Sequence, residues 1–170
     1  MMYKNVSPYL ETIRFGVIAG AAGGLAEMVW VALYAYATGG NATILARGVT
    51  TAAGVSALFP ASPEGLGVAI HMTLAVMLGV ALAFAWRAFS AMRGGAAASP
   101  YPFMLAALTG VWAVNFFVVL PILSPAFIPM VPYAVSLLSK LFFGAAAAEI
   151  LRRADVTALT ARRMVFTRSA

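Results

Sequence analysis

A glutamate lies in the middle of one of the most apolar stretches of this chain. Residues 16–31 read GVIAGAAGGLAEMVWV, and Glu27 is the one residue among them that is neither apolar nor glycine. A charged side chain at bilayer depth costs about 2.5–3.5 kcal/mol on insertion scales, so such residues commonly mark sites of proton or substrate passage. Three further polar side chains interrupt long apolar stretches: His71, Asn115 and Lys140. These four residues, called the polar cluster below, supply an acid, a base, an amide and an imidazole that exchanges protons near neutral pH.

Four apolar stretches must position these side chains, and each is long enough to cross a bilayer, which takes about 20 mostly apolar residues. They cover residues 15–37, 65–86, 103–123 and 132–151. The composition agrees, because 63% of the residues are hydrophobic and only 9% are charged, whereas a soluble domain carries about 25% charged residues. We predict an all-α fold, an integral membrane four-helix bundle. It forms one transmembrane domain at 1–151, followed by a basic cytoplasmic tail at 152–170.

Two connections carry their own signals. Residues 44–59 read ILARGVTTAAGVSALF, which is short for a span and contains Arg47. This favours an extra interfacial or re-entrant helix over a plain loop. Residues 121–132 contain four prolines and no charge. Because proline prevents helix continuation, we predict a rigid outer loop there that touches the membrane interface, with a mobile lid as the alternative.

The basic residues are divided unequally between the two sides of the predicted bundle. With four spans, one side holds nine of the Lys and Arg residues and the other holds Arg47 alone. An excess of positive charge marks the cytoplasmic side of a membrane protein. Both termini are therefore predicted to be cytoplasmic, in a membrane that we expect to be the bacterial inner membrane. The net charge of +6 then reports topology, and we expect the lipid bilayer, not nucleic acid, as the partner.

The polar cluster falls in one layer of the predicted bundle. At about 1.5 Å per residue, Glu27 lies roughly 15 Å from the outer end of its span, and the other three lie roughly 9–12 Å deep. Small residues let helices approach closely in lipid, and glycines share the helical stripes of three cluster members: Gly16, Gly20 and Gly24 with Glu27, Gly67 and Gly79 with His71, and Gly144 with Lys140. These side chains should therefore face neighbouring helices. We predict an ion pair between Glu27 and Lys140, with His71 and Asn115 hydrogen-bonded nearby.

Other kinds of chemistry find little support in the sequence. The chain contains no cysteine and a single histidine. Disulfides, thiolate metal sites and a haem held by two histidines of one chain are thereby excluded. A phosphate-binding glycine loop, a nucleophile elbow and an H-E-x-x-H motif are also absent. We predict a protein that is not an enzyme and has no cofactor and no metal site.

The first span is rich in glycine and contains an acid, a lone histidine comes early in the second, and the third contains Asn115 and leads into a proline loop. This combination resembles small uncharacterised bacterial inner-membrane proteins of four helices, which implies the fold and no particular activity. The small multidrug-resistance transporters similarly place one glutamate midway along the first of four helices. This chain is longer and carries Lys140, so the second similarity serves as an analogy.

Two functions from different classes fit these features. The first is a non-enzymatic packing or partner subunit, in a membrane complex or a homo-oligomer, in which the polar cluster only fixes helix register. The second is a proton-coupled transporter or channel for a small molecule or ion, with Glu27 as the switching carboxylate and His71 as the proton relay. A water-filled cavity that reaches Glu27 would favour the second function, and a dry, fully paired cluster would favour the first.

Overall fold

The computed structural model describes residues 7–55, 57, 61–93 and 99–168, with side chains described as far as residue 155. Regular secondary structure in these residues is entirely helical, as predicted. The α-helices are α1 (Pro8–Ala37), α2 (Ala42–Ala52), α3 (Pro63–Met92), α4 (Pro100–Val114), α5 (Leu120–Leu123) and α6 (Tyr133–Arg168). A π-helical turn, Asn115–Val119, joins α4 to α5, and a 3-10 helix, Pro125–Met130, precedes α6.

Four helical segments are long and apolar enough to cross a membrane: Pro8–Ala37, Pro63–Met92, Pro100–Leu123 and Tyr133–Asp155. Each overlaps one predicted stretch, so the number of candidate spans is confirmed. Three of the segments begin earlier than predicted, each at a proline in the first turn. Proline is favoured there because its fixed φ suits a helix and the N–H it lacks would have no helical acceptor. The length and composition of these helices are those of a membrane protein.

The helices are arranged in the order α3, α1, α6, α4 across the bundle. Helix α1 packs against both α3 and α6, and α6 packs in turn against α4. The short helix α2 lies mainly on α3. The first and last helices of the chain therefore each pack against two long neighbours, whereas α3 and α4 have little contact with each other.

Helices α1 and α3 cross with their backbones in contact. A Cβ atom added at Gly79 would overlap the backbone of Gly20, and one added at Gly20 would overlap the carbonyl group of Ala75. The same holds at Gly16 against the backbone of α3, and Gly24 lies against Ala75 and Met72. The crossing thus depends on glycines of the stripe that the sequence assigned to helix packing. On α6, a Cβ at Gly144 would come within 3.3 Å of a carbonyl oxygen of α4.

The predicted interfacial helix at 44–59 is shorter than expected. It begins at Ala42, because the side chain of Asn41 accepts a hydrogen bond from the Thr43 N–H at 2.9 Å and caps the first turn. It ends at Ala52, and Gly54 then turns the chain with a φ of +70°. Residues 56, 58 and 59 of the predicted helix lie outside the described residues.

Helix α2 is fastened to α3 by close packing and by an ion pair. A Cβ at Gly67 would overlap the carbonyl oxygen of Ala46. The hydroxyl of Thr50 donates to the carbonyl of Pro63 at 2.6 Å, and Arg47 pairs with Glu64. The small residue at 67 therefore lets α2 lie directly on the backbone of α3.

The third span ends at Leu123 as predicted, but residues 125–130 of the predicted proline loop form a 3-10 helix, and this part of the prediction is wrong. Pro121 lies in the first turn of α5 and Pro125 in the first turn of the 3-10 helix, a position in which proline is tolerated. Since Pro121 has no N–H, the carbonyl of Phe117 loses its helical donor. The π-helical turn lies directly before this proline, and in it the N–H of Leu120 donates to the carbonyl of Asn115.

Helices α3 and α4 meet near residues 86–104 through aromatic rings. The ring of Phe103 lies 5.6 Å from Trp86 and 5.0 Å from Phe89, measured between centroids. Met104 of α4 and Phe143 of α6 are completely buried, and the Phe143 ring lies against Gly23 of α1. This end of the bundle is densely packed, whereas at the other end, which carries α2, residues of α3 and α4 line a cavity.

Candidate intramembrane binding site

Glu27 is buried at the point where α1 meets both α3 and α6. The residue is only 4% exposed. Its Oε1 atom lies 2.6 Å from Lys140 Nζ on α6, and its Oε2 atom lies 3.8 Å from His71 Nε2 on α3. The structure therefore brings together three of the four predicted cluster residues, and each carboxylate oxygen faces a different neighbouring helix.

His71 approaches the carboxylate without forming the predicted hydrogen bond. The distance of 3.8 Å exceeds the 2.7–3.2 Å range of an N–H···O bond. Among the described residues, Nε2 is buried and has no hydrogen-bond partner. A buried polar atom in this condition is costly. The His71 side of the cluster is therefore unpaired in the described chain, and a proton on the imidazole would add an attraction to the Glu27 carboxylate.

Ser139 is a site residue that sequence reasoning missed. Its Oγ atom lies 3.2 Å from Glu27 Oε1 and 2.8 Å from the carbonyl oxygen of Ser136. A hydroxyl has one proton to donate, so the bond to Glu27 competes with the bond within α6. Its position beside Lys140 in an apolar helix was the available signal. That signal is weak, because serine in a helix commonly bonds to its own backbone.

Two indole groups hold the first turns of α6 in place. Trp30 Nε1 donates to the carbonyl of Val135 at 3.0 Å, and Trp112 Nε1 donates to Ser136 Oγ at 2.9 Å. Trp30 belongs to α1 and Trp112 to α4, so the bonds tie α6 to both of its neighbours. Lys140 follows one turn later, and its ammonium group is thereby directed to the level of Glu27.

Asn115 is the first residue of the π-helical turn. It lines the same cavity as Glu27, His71 and Lys140. In the described part of the chain its side chain makes no hydrogen bond, so the predicted bond to the pair is not formed. The π-helical turn changes the helical register at this residue, and such turns occur frequently at functional sites.

A cavity of about 700 Å³ joins the four cluster residues. Aliphatic and aromatic side chains form the rest of its wall, and residues of α2 and the 3-10 helix, such as Val49 and Phe127, close one end. Known ligand pockets span roughly 300–1,000 Å³ and combine apolar walls with a few convergent polar groups. The cavity has both properties, and it forms the candidate binding site together with the polar cluster and Ser139.

The four long apolar helices are compatible with a small α-helical membrane protein, and the cavity gives it a polar site. In comparisons with known proteins, no family model, no curated protein and no solved structure matches this chain. Within the described residues, no three His, Asp or Glu side chains come together as a metal ion would require. The functional argument therefore starts from the geometry of the cavity.

Proposed function

We propose that this protein binds a small molecule in the cavity and carries it across the membrane together with a proton. The observation that supports the proposal is the cavity of about 700 Å³ that reaches Glu27, His71, Asn115 and Lys140. A cluster that served only to fix helix register would be expected to be dry and fully paired. Here the cluster borders open space, and His71 Nε2 has no hydrogen-bond partner in the described chain.

The glycine stripes weigh against a protein that serves only to pack against partners. Exposed small-residue faces were the motivation for that function. The predicted packing glycines instead lie against other helices of the same chain. Their contacts stabilise the bundle around the cavity, and the packing argument no longer calls for a second protein.

The proton-coupled step is proposed to act through the two oxygens of Glu27. With His71 neutral, the carboxylate is held mainly by Lys140 on α6, 2.6 Å away. A proton on His71 would place a second cation 3.8 Å from the other oxygen, on α3. Glu27 would then be attracted to both sides, and the balance between the α1–α6 and α1–α3 contacts would shift. A change in the relative stability of two arrangements is the basis of coupled transport.

The first prediction tests whether water enters the cavity. Val111 of α4 lines the cavity, whereas Val114, one turn along the same helix, is 56% exposed on the outer surface. The chain contains no cysteine, so Val111→Cys and Val114→Cys each introduce a single thiol. Thiols react as thiolates, which need water to form. In membrane vesicles, a water-soluble maleimide is expected to label the first variant and to leave the second unlabelled.

Labelling after denaturation in dodecyl sulfate provides the control, because both thiols should then react equally. Failure of Val111→Cys to react in intact membranes, with normal reaction after denaturation, would mean that the cavity is dry. Equal labelling of the two valine positions in intact membranes would mean that α4 is not placed against lipid as proposed. Either result would remove the basis for transport.

A further inference from the structure

We infer that the ligand is an organic acid, with one carboxylate on an apolar body, and that it binds together with one proton taken up by His71. This inference rests on the proposed function and adds the chemical class of the ligand. Three observations support it: the relative exposure of the charged groups, the net charge of the site, and the apolar wall.

The cationic and proton-accepting side chains are more exposed than the acid. The Glu27 side chain is 5% exposed, whereas those of Lys140 and His71 are 20% and 27% exposed. On the cavity wall, the side chains of Lys140 and His71 are therefore more accessible to a ligand than the carboxylate, although His71 Nε2 itself is buried. Asn115, also on the wall, adds an amide that can donate two hydrogen bonds. These groups match an anion.

The net charge of the site explains why the anion brings a proton. When His71 is neutral, Glu27 and Lys140 cancel each other. A carboxylate alone would then leave one uncompensated negative charge in a low-dielectric cavity, which is costly. A proton on His71 restores neutrality, and by linkage the ligand and the proton each increase the affinity for the other. An amine would add a positive charge with no anion left to balance it.

Charged and polar side chains from several helices surround His71. Glu27 approaches from α1 at 3.8 Å, and Lys140 from α6 and Asn115 beyond α4 line the same cavity. Helix α2 carries Arg47, but that side chain is 62% exposed and paired with Glu64 on the surface. Among these groups, His71 can gain a proton without breaking the Glu27–Lys140 ion pair, so the proton that accompanies the ligand is assigned to His71.

The body of the ligand follows from the rest of the wall. Side chains of α2, α3 and the third span cover it with hydrocarbon, among them Leu45, Val49, Leu74 and Leu123. A small inorganic anion would leave most of the 700 Å³ unfilled, so the apolar wall would contribute nothing to its binding. An aliphatic or aromatic acid places its carboxylate at Lys140 and His71 and its body against this wall.

The test, our second prediction, compares three probes that share one apolar body: 2-naphthoate, 2-naphthamide and 2-naphthylmethylamine. Binding to the full chain in lipid nanodiscs is measured by titration calorimetry in buffers of different ionisation enthalpy, which also counts protons. The carboxylate is expected to bind at least about tenfold more tightly than either analogue, the effect of a hydrogen bond to a charged group. It should take up close to one proton at neutral pH, whereas the amide should take up none.

Variants separate the role of His71 from general effects. His71→Gln should abolish proton uptake and the increase in affinity at lower pH. The double variant Glu27→Gln/Lys140→Gln should lose the preference for the carboxylate. Arg93→Gln removes a cation at the other end of α3, outside the cavity, and should bind as the unmodified chain does. Proton uptake that persists in His71→Gln would overturn the inference.

The remaining outcomes distinguish this inference from the proposed function. Equal binding of the three probes, or tighter binding of the amine, would overturn the organic acid and leave a solute-binding cavity in place. Binding of none of them would overturn the inference, and the cysteine labelling then decides whether the cavity admits solutes at all. A parallel titration with hexadecanoate identifies the source of the acid, because hexadecanoate arrives from the bilayer and 2-naphthoate from water.

Discussion

At the scale of single residues, Glu27 is the side chain around which the site is built. Its two oxygens face a lysine and a histidine on different helices, at 2.6 Å and 3.8 Å. The sequence predicted these partners because residue type and depth along each helix are readable from spacing. The gap at His71 and the bond from Ser139 could not be predicted, since they depend on side-chain rotamers and on the angle at which α1 crosses its neighbours.

The third prediction concerns the buried ion pair. Removal of one partner leaves an uncompensated buried charge, which typically costs about 3–5 kcal/mol. Lys140→Met is therefore expected to lower the stability of the protein strongly. Glu27→Leu in the same chain should restore much of it, because the desolvation penalty disappears with the second charge.

Thermal unfolding in detergent, measured for the unmodified chain, the two single variants and the double variant, gives the coupling between the two residues. Losses that add strictly in the double variant would show that Glu27 and Lys140 do not interact. The double variant should also be inactive in transport even if its stability is normal, since it lacks the proposed switching carboxylate.

At the scale of the helices, the crossing of α1 and α3 depends on glycine. The stripe of small residues along each helix is visible in the sequence, and it correctly indicated which faces pack. The pairing of Gly20 with Gly79 could not be read from either stripe alone, because the register between two helices depends on the rest of the bundle. The same limit applies to α4, where Pro121 predicts an interruption but not a π-helical turn at Asn115.

The fourth prediction compares two helical glycines, one packed against a neighbouring backbone and one in open space. A Cβ at Gly20 would overlap the backbone of α3, whereas one at Gly110 on α4 would meet no atom within 4 Å. Gly20→Ala is expected to destabilise the protein by about 1–3 kcal/mol, the usual cost of overpacking. Gly110→Ala should be neutral or stabilising by up to about 1 kcal/mol, since alanine is the better helix former. Thermal unfolding of both variants checks this, and equal effects would contradict the close crossing.

At the scale of the whole molecule, the number of spans could be predicted and their arrangement could not. Hydropathy and length define each span within its own stretch of sequence. The lateral order α3, α1, α6, α4 depends on contacts between residues far apart in the chain. The cavity results from that order, because α3 and α4 meet through aromatic rings at one end and line open space at the other. Its existence was therefore left open by the sequence.

The fifth prediction concerns orientation in the membrane. The nine-to-one division of Lys and Arg residues between the two sides supports cytoplasmic termini. A reporter fused after residue 95, in the connection between α3 and α4, should be active on the cytoplasmic side. One fused after residue 125, in the connection before α6, should be active on the external side. The reverse pattern at either position would contradict the proposed topology.

Because Glu27 of α1 pairs with Lys140 of α6, the last helix, the two partners of the ion pair are synthesised at different times. Glu27 and the segment that carries Ser139 and Lys140 are separated by about 112 residues, which a ribosome adds in roughly 6–22 s at 5–20 residues per second. Throughout that interval the nascent chain contains the carboxylate and not yet its ammonium partner. His71 is synthesised much earlier, so it is the first of the two neighbours to reach Glu27. The imidazole can therefore accompany the acid during membrane insertion, before α6 arrives to complete the middle of the bundle.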